Sequence, residues 1–371
     1  MSKTILATLT LIGATIGAGV LGIPYVVLKS GFGFGVLIII FVALLMLLTN
    51  LYLGEIALRT KGTHQLSGYA EKYLGPRGKK IMFLAIVFGV YAALVAYLIG
   101  EGESLSYLFF NTVKYEIIMG TFFWIILAAL SWFGLKALEE GEEIGVTFVF
   151  ITIISIVVFS WNKINPSNLS YNDASQIFSP FGVVLFAFLG FSAVPEVIRI
   201  LKKEKGSLEK AIISSNLIVL SIYIIFTAVV LGWKGSATPP LATLVLGKPF
   251  VLLGMITMFT AYLVHTNALI DTLRFDFRKT RFHAWLIAIS VPLLAFIVIR
   301  FLNIAGFIKV LSIGGAISGG LTAILILFMV KKAKQNGDEK PSYSIPYSNI
   351  LAWILIAIFA LGAIFEITSS F

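Results

Sequence analysis

Eleven apolar stretches fill most of this chain, each close to the length of about 20 residues that a helix needs to cross the hydrocarbon core of a bilayer. Their limits fall near 4–28, 33–58, 80–103, 117–136, 143–161, 180–201, 210–233, 249–274, 283–301, 306–331 and 349–369. Inside a membrane every backbone polar group must be paired, which leaves helices and closed barrels as the spanning architectures. Barrel strands are about ten residues long and alternate in polarity. FGVLIIIFVALLMLLTNLYLG, residues 34–54, is apolar on every face, so the predicted class is all-α integral membrane. Composition agrees: 58% of the 371 residues are hydrophobic and 12% charged, against roughly a quarter charged in soluble domains.

The same inventory excludes several chemistries. With no cysteine there are no disulfides or thiolate metal sites, and His64, His265 and His283 are too dispersed in sequence to suggest a metal cluster. No cofactor and no metal are expected, and no nucleophile–base spacing inside the spans points to an enzyme. The apolar start MSKTILATLTLIG leads through a glycine-broken run to Pro24 and a second long run, which is a first span rather than a signal peptide.

Lysine and arginine set the orientation. With the N-terminus inside, the cytoplasmic segments hold Lys3; Arg59, Lys61, Lys72, Arg77, Lys79 and Lys80; Lys136; Arg199, Lys202, Lys203, Lys205 and Lys210; Arg274, Arg278, Lys279 and Arg281; and Lys331, Lys332, Lys334 and Lys340. That is 21 of 28 basic residues, so the positive-inside rule predicts a multi-pass cell-membrane protein with N-terminus cytoplasmic and C-terminus external. It also accounts for the +10 charge without nucleic acid, since the basic residues are spread over separate loops. The acidic turn EEGEE, residues 139–143, departs from the pattern, but acidic residues weigh little in orientation.

GATIGAGVLGIP, residues 13–24, contains a G-x-G-x-x-G at Gly17, Gly19 and Gly22. A dinucleotide-binding loop needs a preceding strand and an acidic residue about twenty positions on. The first acidic residue here is Glu55, so the glycines mark a break in a membrane helix instead. A second break, FAFLGFSAVPEV at 186–197, answers it in the sixth run. Beyond each break come a second span and a short helical loop, LSGYAEKYLGPRGKK and LATLVLGKPF; Gly17 to Gly75 is 58 residues and Gly190 to Gly247 is 57. Runs one to five (residues 1–165) and six to ten (166–335) therefore read as two copies of one five-helix unit. An odd helix count makes the second copy inverted, with residues 336–371 supplying an eleventh helix. Glycines in ISGGLTA and GEGES read as packing positions.

A helix unwinds in hydrocarbon only where the freed groups meet protein, water or a polar ligand. Carbonyls of Gly13, Ala14 and Thr15 close the first half of the first run, and N–H groups near Ala18 and Gly19 open its second half. Phe186, Ala187 and Phe188 end the outer half of the sixth run; the inner half restarts near Ser192 with Pro195 in its first turn. Carbonyls and positive dipole ends facing one another suit a small zwitterion such as an α-amino acid. The predicted substrate-binding residues are Thr15, Gly17, Ala18, Gly19, Tyr91, Phe186, Phe188, Gly190, Phe191 and Ser192. No charged residue lies beside the breaks, which favours a neutral substrate.

At these residues the chain resembles the amino acid/auxin permease family of the APC superfamily, and its prokaryotic aromatic and hydroxy amino acid permeases in particular. GATIGAGVLGIP is similar to the family's first helix, THQLSGYAEKYLG to the segment after its second, VYAALVAYLIGEGESL to its third, FLGFSAVPEV to its broken sixth and ALIDTL to the end of its eighth. The likeness covers about residues 10–275 and implies a LeuT-type 5+5 inverted repeat with broken helices 1 and 6, and amino-acid uptake driven by a cation gradient.

Glu196, His265, Asp271, Lys309 and Glu55 are ionisable groups expected at membrane depth, where each is costly and a functional candidate. Glu196 and His265, with Thr266, are the ion-coupling candidates, and a titratable histidine favours H⁺ over Na⁺. Asp271 and Glu55 read as gating or structural groups paired with Arg274 or Arg59. The expectation is a proton-coupled secondary transporter of neutral amino acids. A permease for another small solute and a non-transporting amino-acid sensor are the alternatives.

Overall fold

The computed structural model describes residues 2–62, 64–133, 139–201, 205–275 and 278–368. Lys136, Lys202 and Lys203 of the orientation argument, and the side chains of the acidic turn 139–143, lie outside the described residues. Described regular structure is helical, with one isolated antiparallel bridge between Gly31 and Asn172. Among the described residues, eight helices are long and apolar enough to cross a membrane; a ninth span results if a first pair, bent by 50°, counts as one.

That pair is α1 (Lys3–Thr15) and α2 (Ile23–Ser30), joined through extended Ile16 and Gly17 and a 3₁₀ turn at Ala18–Gly22. Ser2 caps α1 by accepting the Ile5 N–H, and Pro24 sits in the first turn of α2, where a missing N–H costs nothing. The chain continues through α3 (Phe32–Leu58), α4 (Leu66–Phe110), α5 (Glu116–Phe133) and α6 (Glu139–Ser160). The expected sixth run is two short helices, α7 (Phe181–Ala187) and α8 (Ala193–Leu201). Then come α9 (Leu208–Lys234), α10 (Thr243–Leu246), α11 (Lys248–Phe275), α12 (Arg281–Phe301), α13 (Phe307–Gly314), α14 (Gly320–Asn336) and α15 (Asn349–Thr368). A π turn at Gly315–Gly319 joins α13 to α14. Leu37, Leu44, Phe133, Leu294 and Ile350 are exposed, the apolar outer surface that a lipid environment requires.

Two local constructions repeat. Gly75 interrupts α4 with φ 77°, followed by Pro76; Gly247 ends α10 with φ 113°, followed by Lys248 and Pro249. Only glycine takes such φ freely, and proline starts the next helix without needing its N–H.

At the end of the bundle carrying the N-terminus, Glu55 on α3 is fully buried and gathers four partners. Arg59 Nε donates at 2.9 Å, Lys334 Nζ of α14 at 2.6 Å, Ser344 Oγ at 2.7 Å and the Ile345 N–H at 2.9 Å. Tyr343 adds a hydrogen bond to the Leu51 carbonyl, and Tyr52 one to that of Pro346. On the same side Lys72 pairs with Asp338, whose carboxyl also accepts the Lys61 N–H at 2.9 Å. These donors hold the Asp338 carboxyl below the usual aspartate range, the Lys72 bond first. The opposite end is covered by residues 164–176. Asn165 N and Asn168 Nδ2 bond the Gly232 carbonyl, and Asp173 N bonds that of Ser30.

Candidate functional site

Both breaks open onto one cavity of about 700 Å³. Gly13 to Gly17 and Gly19 form one wall; Phe186, Ala187, Leu189, Phe191 and Ser192 form the facing one. Helix α4 adds Val90, Ala93 and Tyr97, α11 adds Thr257, Thr260, Ala261 and His265, and the π turn and α14 add Ser318 and Thr322. The cavity reaches Gln65, Ser67, Asp271 and Thr272, which places its mouth at the end carrying the N-terminus.

Glycine is used where the breaks meet. A Cβ on Gly19 would lie 3.1 Å from Ala187 Cα, and one on Gly190 would lie 2.5 Å from Thr15 Oγ1. The two interrupted helices thus cross almost backbone to backbone. Tyr223 of α9, fully buried, ties them together: its hydroxyl donates to Ala187 O at 2.7 Å, with Thr15 O at 3.3 Å. The Phe186 carbonyl accepts the Leu189 N–H at 3.1 Å. The Thr15, Phe186 and Ala187 carbonyls at the breaks therefore already have donors, from Tyr223 and from the chain's own backbone.

Of the residues singled out from sequence, Thr15, Gly17, Gly19, Phe186, Phe191, Ser192 and His265 line the cavity. Ala18 is fully buried behind the wall. Phe188 and Gly190 instead line a second space of about 10 Å³, room for one water, with Asn50, whose buried Oδ1 has no hydrogen-bond partner. Phe188 stacks edge-on against Tyr223 at 5.0 Å. Tyr91 turns to α12, donating to the Ile287 carbonyl at 3.3 Å. Glu196 is exposed on α8 and is not among the lining residues, and Thr266 is fully buried beside them. Asp271 pairs with Arg274 at 3.6 Å, as the sequence suggested.

Tyr97, Tyr223 and Glu101 were not singled out from sequence. The hydroxyl of Tyr97 is 3.6 Å from where a Cβ on Gly17 would sit, and its ring meets His265 edge-on at 5.9 Å. His265 Nδ1 lies 2.8 Å from the Ala261 carbonyl, which can only accept, so Nδ1 carries a proton, and in the neutral form of the ring Nε2 is an acceptor. Asp271 at the mouth, His265 and the Tyr97 phenol are ionisable groups of the lining. The interior combines aromatic surface, small hydroxyls and backbone, a setting for a molecule without net charge.

The chain is 23% identical to Tyrosine-specific transport system 1 of Haemophilus influenzae, over 98% of this chain and 96% of that one. It is 22% identical to Tryptophan-specific transport protein of Pseudomonas aeruginosa, over 59% and 55% of the two chains. A third relative, Glutamine transporter 2 of Aliivibrio fischeri, is 20% identical over 61% and 60%. Residues 1–238 match the profile of the tryptophan/tyrosine permease family. A polytopic helical chain with that match over more than half its length belongs to the tryptophan/tyrosine permease family.

Proposed function

We propose that this permease moves an aromatic amino acid across the membrane by alternating access, holding the zwitterion between the two breaks and its ring among Phe186, Phe191 and Tyr97. The observation that carries the reading is the one cavity lined by both breaks, with its mouth at the end carrying the N-terminus. Substrate carboxylate is assigned to the Gly19 N–H in the first turn of the 3₁₀ segment, which lines the cavity and which no earlier carbonyl of the turn can reach. The ammonium is assigned to the remaining carbonyls of Gly13 and Ala14 with the Ser192 hydroxyl.

The architecture proposed is the LeuT-type 5+5 inverted repeat of the APC superfamily. Its units are residues 1–165 and 166–335, with α15 appended. The paired constructions Gly75–Pro76 and Gly247–Lys248–Pro249 support it. With the N-terminus cytoplasmic, as the lysine and arginine distribution favours, the mouth faces the cytoplasm and the conformation is inward-open. Coupling to protons is proposed over sodium, with His265 at the cavity wall and Glu196 and Thr266 as further candidates.

Counterflow in proteoliposomes tests the proposal. Labelled tyrosine and tryptophan should exchange, and at 100 times Kd each should stabilise the protein by about 2.7 kcal/mol. Exchange of glutamine without either aromatic would overturn the substrate assignment, and exchange of no amino acid would overturn transport.

A further inference from the structure

Glu101 lies four residues beyond Tyr97 on α4, one turn along and on nearly the same face. It is fully buried, and neither carboxyl oxygen has a hydrogen-bond partner. Its neighbours show what encloses it. A Cβ on Gly100 would press on Met258 of α11 and Phe307 of α13, and one on Gly102 would meet the Glu116 carbonyl of α5. The turn is therefore inside the bundle, away from lipid. Side chains on a helix lean toward its N-terminus, here toward the Tyr97 turn; Tyr97 lines the cavity, and Glu101 lies just beyond its lining.

Titratable groups on the elements packed against α4 are engaged elsewhere, neutral or remote. Glu116 of α5 pairs with Arg300 of α12. On α11, Lys248 donates to Leu108 O and His265 Nδ1 to Ala261 O, while Tyr262 is a neutral phenol. Lys309 of α13 donates to Ile304 O, and the α14 lysines 331, 332 and 334 lie at the other end. Glu103, on α4 itself, is only partly buried. An ionised carboxylate without a partner in such packing is far costlier than the neutral acid, so the fold accommodates Glu101 as CO₂H.

We infer that Glu101 carries the coupled proton, an inference that rests on the transport reading above. When the end opposite the mouth opens, this turn meets water as a carboxylate and takes one H⁺, changing its charge from −1 to 0. Only the neutral acid fits once α5, α11 and α13 close around it, so protonation is the condition for closure. In the mouth-open state described above this turn is still packed and dry, so the same H⁺ leaves only when further opening on the mouth side admits cavity water past Tyr97, and the carboxyl then returns to −1. One proton crosses for each zwitterion.

The test uses the full chain in proteoliposomes with labelled tyrosine, a pH gradient of one unit, acid on the side opposite the mouth, and no sodium. With the membrane potential clamped at zero, one proton per neutral substrate gives wild type about tenfold accumulation at equilibrium. Glu101→Gln is neutral at every pH, so it should exchange tyrosine yet accumulate none. Accumulation by Glu101→Gln equal to wild type overturns the inference. Wild-type exchange without gradient-driven accumulation also overturns it while leaving transport intact; absence of wild-type exchange condemns the transport reading instead. Where Glu101→Gln fails to bind tyrosine, Glu101→Asp decides. A retained acid in an altered place should accumulate tyrosine with a displaced rate–pH profile, and an unmoved profile overturns the inference.

Discussion

Gly190→Ala tests whether the two breaks lean on each other as described. Gly190 has no positive φ, so alanine meets no backbone strain there, and the whole effect comes from the new Cβ. That carbon would stand 2.5 Å from Thr15 Oγ1, about 0.9 Å short of ordinary contact at 3.4 Å. Thr15 cannot swing aside without giving up its 2.7 Å bond to the Leu11 carbonyl. Overpacking of this kind costs about 1–3 kcal/mol. Because the breaks are two walls of one cavity, the strain should weaken tyrosine binding by roughly 5- to 150-fold, read by titration of the purified permease. Thr15→Ala removes the offending oxygen, and the next atoms, Thr15 Cβ at 3.6 Å and Cα at 4.0 Å, are in comfortable contact. The double variant Thr15→Ala/Gly190→Ala should therefore recover most of the loss. Thr15→Val, which puts a methyl where Oγ1 was, should not. Effects of Gly190→Ala and Thr15→Ala that add within about 0.5 kcal/mol would refute the proposed contact.

Gly17→Leu should abolish tyrosine binding while thermal stability stays near wild type, because the nearest atom to a Cβ there is Tyr97 Oη at 3.6 Å and the rest of the side chain enters the cavity. Unchanged affinity would move the substrate elsewhere. Phe186→Ala and Phe191→Ala should shift preference among amino acids toward bulkier side chains in competition assays. Phe188→Ala, buried outside the main cavity, should instead lower stability by about 3–5 kcal/mol with selectivity kept. Asp338→Asn should lower thermal stability slightly at pH 7. A carboxyl held below its unfolded value stabilises above that value, near 3.9, and loses the contribution as pH falls through its folded value, so the difference from wild type should vanish in that acid range.

The breaks were legible because Gly13 to Pro24 and Gly190 to Pro195 violate the regularity of the apolar runs around them. Which face of a run looks inward was not legible. Soluble helices advertise their buried side by polarity, but helix α3, like its neighbours, is apolar all round. Tyr91 and Tyr97 illustrate the result: six residues place them far apart around α4, one against α12 and the other on the cavity. Tyr223, in SIYIIF, stands beside no glycine, proline or charge that would mark it. Glu101 was hidden for another reason. Its charge, with that of Glu103, ended the third apolar run at 103, whereas the helix continues to Phe110 and carries Glu101 into the packed interior. The sixth run falls into two helices of 7 and 9 residues, each too short to register as a span.

The cluster around Glu55 constrains how the protein can move. One carboxylate is held at once by α3's own Arg59, by α14 and by the segment leading into α15, with Tyr343 and Tyr52 binding that segment back to α3. Separating these three pieces would strand a buried charge, a penalty far larger than sliding one apolar helix past another. They therefore form one tied frame at this end, to which the Lys72–Asp338 pair also binds the start of α4, whereas α1 and α11, which line the cavity, stand outside the cluster.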